Sequence, residues 1–151
     1  TWNCIPPAAV ATAARAVRTS FPRGAALIWY NEAAILAHSP IRDSCGNPHR
    51  DYAIPPELDW FSVDIYHMNG AVAGWVNNSV RAYYERWIYP NLTAGQRVML
   101  VPGSFGSDVN HYPNGTVVCD RACYDAMVSA DAADFYHWAV TDERVAAVMP
   151  W

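Results

Sequence analysis

Residues 98–108 read VMLVPGSFGSD. An unbroken apolar run entering a Gly-rich loop reads as a buried strand that ends in a connection. Three other segments share its character: GAALIWYNE (24–32), LDWFSVDIYH (58–67) and RVAAVMPW (144–151). Together with QRVMLVPG (96–103) they give four predicted strands, each rich in β-branched, aromatic or other large apolar residues.

Helical patterns fill the intervals. Pro6-Pro7 opens a first helix to about Ser20, with Val10, Ala13, Ala14 and Val17 on one face, and Phe21-Pro22-Arg23-Gly24 stops it. A second helix is predicted over 71–88, where Val76, Val80, Tyr83, Tyr84 and Trp87 recur at the helical period before Pro90. A third spans about 120–140, with Asp120 as cap and Cys123, Met127, Phe135 and Trp138 on one stripe. The aromatic residues of these stripes read as core. Strands alternating with helices define an α/β protein with a parallel sheet. Four strands in 151 residues is about half of a (β/α)8 barrel, which needs about 250. The C-terminal apolar strand has nothing after it to cover it, so the chain is expected to be the C-terminal part of such a barrel, a single domain or fragment over 1–151.

Composition narrows the function. The chain is 52% hydrophobic and 16% charged, which suits one globular core. A net charge of -4, with ten scattered Lys and Arg residues, argues against nucleic acid as a partner. No apolar run approaches the roughly 20 residues that span a bilayer. There is neither an initiator Met nor a signal peptide, so a processed product or part of a longer chain or assembly is expected. Cys4, Cys45, Cys119 and Cys123 form an even set, and N-x-S/T sequons begin at Asn77, Asn91 and Asn114. Any one sequon arises easily by chance; together with the cysteines they point to an extracellular or secretory location and to disulfides, three pairings of which are open. The five histidines form no metal pattern, zinc finger spacing is absent, and no cofactor is expected. His137 is placed on the surface of the third helix, and His38 and His49 in a solvated loop.

Two long connections, 33–57 and 103–119, follow strand C-terminal ends, where α/β folds place their chemistry. ALIWYNEA delivers Asn31 and Glu32 to such an end. A carboxyl half sheltered by Trp29 and Tyr30 suits a general acid, whereas the plainer reading is a cap for the following turn. In DWFSVDIYH the alternation puts Phe61, Val63 and Ile65 towards helices and Ser62, Asp64 and Tyr66 towards the barrel axis. A buried Asp64 must be functional or satisfied by a neighbouring strand or by Tyr66.

This order of strand endings resembles the retaining glycoside hydrolases of the (β/α)8 superfamily typified by cellulases and β-galactosidases. In that family an Asn-Glu pair ends the fourth strand, and YNEA matches it. The resemblance implies Glu32 as acid/base and Asn31 as a sugar-hydroxyl contact. SVDIYH looks like the later strand whose His or Tyr touches the nucleophile, through Tyr66 and His67, and VAAVMPW looks like the final strand, making Trp151 the sugar platform. VMLVPGSFG has the shape of the nucleophile strand, with Phe105-Gly106 in place, yet Gly103 or Ser104 stands where the resemblance implies a Glu. Retaining hydrolysis needs two carboxyls about 5–5.5 Å apart. Asp64 from its own strand or Asp108 from the loop is a substitute; otherwise the fold keeps a groove that binds glycans without cutting them. A serine hydrolase using Ser104 with His111 or His137 is a further alternative, weakened because Pro102 occupies the first small position of the nucleophile elbow.

Overall fold

The computed structural model describes residues 5–22, 26–32, 54–64, 80–102 and 121–150, with the backbone alone at 30–32, 64, 121, 123, 124 and 127. Helix α1 (Pro7–Ser20) begins with Pro7, whose missing N–H is one that a first turn leaves unbonded in any case. Strands β1 (Ile28–Glu32) and β2 (Trp60–Asp64) follow. Helix α2 (Val80–Tyr83) continues as a π-helical turn over Tyr84–Ile88 and a 3-10 turn over Tyr89–Asn91. Strand β3 (Arg97–Leu100), helix α3 (Arg121–Thr141) and strand β4 (Val145–Val148) complete the described chain.

The four strands form one sheet in the order β1-β2-β3-β4, and every neighbouring pair is parallel. Over the described residues the fold is therefore α/β with a four-stranded parallel sheet. All three described helices pack on one face. Phe61, Val63, Val98 and Leu100 share a single core cluster with Ala14 of α1, with Tyr83, Tyr84 and Ile88 of the α2 segment, and with Phe135 and Trp138 of α3. Trp29 meets Phe61 edge-on across β1 and β2 at 5.7 Å between ring centroids, and Tyr84 meets Trp138 edge-on at 5.1 Å. Adjacent Tyr83 and Tyr84 are both buried. In the π turn the Tyr89 N–H reaches back to the Tyr84 carbonyl, five residues rather than four. Val10 and Ala14 face the core as the period requires, whereas Val17 is exposed.

On the opposite face Ser62 and Met99 are also buried, outside that cluster. The β2–β3 ladder stops at Phe61↔Val98. Its next rung would join the Val63 N–H to the Met99 carbonyl. Instead that carbonyl accepts the Ser62 hydroxyl at 2.8 Å, and the Val63 N–H donates to the Tyr84 hydroxyl at 3.4 Å. Between β3 and β4 the register passes from Val98↔Val145 to Met99↔Ala147, so Ala146 is an extra residue in a bulge.

Polar side chains fix the loops that lead into the strands. Asp59, just before β2, accepts the Leu27 N–H at 2.7 Å and Arg18 at 2.6 Å; the backbone N–H, more than the arginine, holds its carboxyl below the ordinary range against the cost of burial. Arg15 pairs with Glu57 beside it. Gln96, just before β3, donates to the Pro55 and Leu58 carbonyls at 2.7 and 3.0 Å and accepts the Thr93 N–H at 2.9 Å. Gly95 makes the preceding turn with φ of 88°. Asp142, three residues before β4, accepts both guanidinium arms of Arg144 at 2.8 Å, the Trp138 indole N–H at 3.2 Å and the Tyr89 hydroxyl at 3.0 Å. The Arg144 guanidinium in turn lies 3.6 Å from the centre of the Tyr89 ring.

Candidate functional site

Parallel strands present all their C-terminal ends on one side of the sheet, and in β1 and β2 those ends are Glu32 and Asp64. The pairing of these strands is unbroken: Ile28↔Trp60, Trp29↔Phe61, Tyr30↔Ser62, Asn31↔Val63 and Glu32↔Asp64. Two carboxylate residues far apart in sequence are thus level with each other, on strands whose backbones lie about 4.8 Å apart. Each also stands one pleat period beyond its predecessor, Tyr30 or Ser62.

The surroundings of the pair are asymmetric. On the β1 side the β2 backbone is bonded to its last residue, whereas on the β3 side its ladder ends three residues earlier, at Phe61. The Tyr84 hydroxyl, delivered by the π turn, takes the Val63 N–H immediately before Asp64. Beyond Leu100, β3 runs into the buried Val101 and Pro102, neither of which ionises. The level of β3 next to the carboxylate pair is apolar up to that point.

Of the residues singled out in the sequence, Glu32 and Asp64 are brought together in backbone register, and Asn31 is level with Val63. Tyr66, His67, Ser104, Asp108, His111 and Trp151 lie outside the described residues, as do the cysteines' side chains and the sequons at Asn77 and Asn114. His137 is exposed on α3. Tyr84 and Ser62 are additions that the sequence did not single out for the site. Tyr84 reads as one more aromatic of a helical stripe, and only the π turn and the interrupted ladder reveal where its hydroxyl goes.

The charged cluster of Asp142, Arg144, Tyr89 and Trp138 lies at the other end of the sheet. Arg144, foremost, draws the Asp142 carboxyl far below the ordinary range against desolvation, while burial and then Asp142 push the Tyr89 phenol up. A carboxylate so fully bonded has no capacity left for proton transfer, and the cluster reads as an anchor for β4. Among the described residues no group of three His, Cys, Asp or Glu side chains is placed to hold a metal ion, and no helix is long and apolar enough to cross a membrane. No known protein family, curated protein or solved structure matches the chain.

Proposed function

We propose that this chain is a secreted carbohydrate-active protein of glycoside hydrolase type, built on part of a (β/α)8 barrel. Consecutive strand order with every described helix on one face is the winding by which such a barrel grows. The observation that carries the catalytic reading is the pairing of Glu32 with Asp64 at the C-terminal ends of adjacent strands. Glu32 acts as general acid/base, Asp64 as the second carboxylate, Asn31 as a sugar-hydroxyl contact, and Tyr66, His67 and Trp151 position the ring. Aromatic faces suit the apolar C–H surface of a sugar and exclude water from the bond being cut.

This assignment departs from the family it resembles. There, three strands separate the Asn-Glu strand from the last, whereas two, β2 and β3, separate β1 from β4. The second carboxylate is accordingly a lateral neighbour of Glu32.

A second reading, a glycan-binding module without catalysis, is favoured by one observation. In the sequence, Gly103 and Ser104 directly follow the described end of β3, and neither is the carboxylate that the resemblance implies there as nucleophile. Glu32→Gln separates the two. Hydrolysis of glycans lost with binding retained supports the enzyme, glycan binding by a wild-type chain that never hydrolyses supports the module, and a variant unchanged in both respects removes Glu32 from the site.

A further inference from the structure

The sequon Asn91-Leu92-Thr93 occupies the exposed turn between the α2 segment and β3. Leu92 has extended backbone angles, φ -76° and ψ 138°, and packs against the core. Side chains on either side of an extended residue point the opposite way. Asn91 and Thr93 are both exposed, so the two residues that a glycosyl acceptor site must present together lie on one outward side, with the residue between them as their anchor. Pro90 fixes the backbone immediately before.

From this geometry we propose that Asn91 is an N-glycosylation site; the inference rests on the secretory reading above. The donor is a lipid diphosphate-linked oligosaccharide. The Asn91 Nδ2 forms a bond to C1 of its terminal sugar as the C1–O bond to the diphosphate breaks; one Nδ2 proton is lost and the lipid diphosphate departs. Nδ2 donates to the Trp87 carbonyl at 2.7 Å. An amide nitrogen has two hydrogens, so glycosylation leaves one on Nδ2 to serve that bond. Asn91 precedes the first residue of β3, whereas Glu32 and Asp64 end their strands. The glycan is therefore rooted at the end of the sheet opposite the carboxylates and leaves their approaches open.

The test is to express the chain behind a cleavable secretory signal in a eukaryotic host and to digest the total pool, secreted and retained, with peptide N-glycosidase in heavy-oxygen water. Mass spectrometry then reads each sequon separately. A heavy-labelled Asp at position 91, abolished in Asn91→Gln and in Thr93→Ala, is the expected result. An unmodified Asn91 overturns the proposal, whether or not Asn77 or Asn114 is occupied. Occupancy at those sequons alone would leave the secretory reading standing while removing Asn91, and the location of the native protein tests that reading by itself.

Discussion

Glu32 and Asp64 are register partners at the last positions of β1 and β2, 32 positions apart in the chain and one strand spacing apart in space. Retaining glycosidases hold their two carboxyls about 5–5.5 Å apart and inverting ones roughly 6.5–9.5 Å apart, and the proposed function assigns a pair on adjacent strands to the first class. Hydrolysis by this pair is expected to retain anomeric configuration. Proton NMR of the first-formed product reads the anomer directly, and an inverted product would remove the lateral pairing as the basis of catalysis.

Asp142→Ala is expected to cost about 3 kcal/mol, because it leaves the buried Trp138 indole N–H without its acceptor and removes charge-assisted bonds from Arg144. Urea denaturation measures the loss. Arg144 is half exposed, which keeps the figure below that of a fully buried ion pair.

The same carboxylate sets an acid limb. Its folded-state pKa is depressed, so its contribution is complete above the unfolded value of about 3.9 and is lost as pH falls towards the folded one. Asp59 acts in the same direction. A melting-temperature profile should therefore decline below about pH 4, and Asp142→Asn should flatten the decline. A variant profile parallel to wild type would show that other groups set the limb.

Tyr84→Phe keeps the ring against Trp138 and removes the acceptor of the Val63 N–H. A destabilisation of about 1 kcal/mol is expected. The sharper readout is local: hydrogen exchange at the Val63 amide should accelerate more than at Phe61, whose ladder position is intact. Equal acceleration at both would mean that the hydroxyl does not hold the strand end.

Gly95→Ala isolates backbone strain. A Cβ there would meet nothing within 4 Å, yet φ is 88°. The expected cost is about 1 kcal/mol, from conformation alone. A larger loss would indicate that the turn to Gln96 moves as a unit.

The strands were legible because a strand covered on both faces reads as a nearly continuous apolar run, as Val98 to Val101 does. Each predicted strand is too long, since apolar flanks such as Ala26 and Leu27 do not announce where pairing starts. The helix stripes placed Tyr84, Phe135 and Trp138 in the core correctly. The π turn and the Ala146 bulge were not legible, because each adjusts register to partners that only the folded sheet supplies. Asp59, Gln96 and Asp142 were missed for the same reason: their partners include Leu27, Pro55 and Tyr89, which lie 32 to 53 positions away. For the candidate site, local pattern puts Glu32 at a strand end and Asp64 near one, but their common level follows from strand pairing, which one sequence does not state.

Asp59 and Gln96 stand immediately before a strand and Asp142 three residues before one, and each ties that strand's start to the rest of the molecule. Among the described residues these ties gather at one rim of the sheet, where the chain enters β2, β3 and β4. Lengthening a surface loop twofold costs only about 0.6 kcal/mol in closure entropy. At the tied rim an insertion should cost more than that, because it separates Asp59, Gln96 or Asp142 from its partners, so a lineage of this fold has reason to keep the spacing there constant while other positions vary.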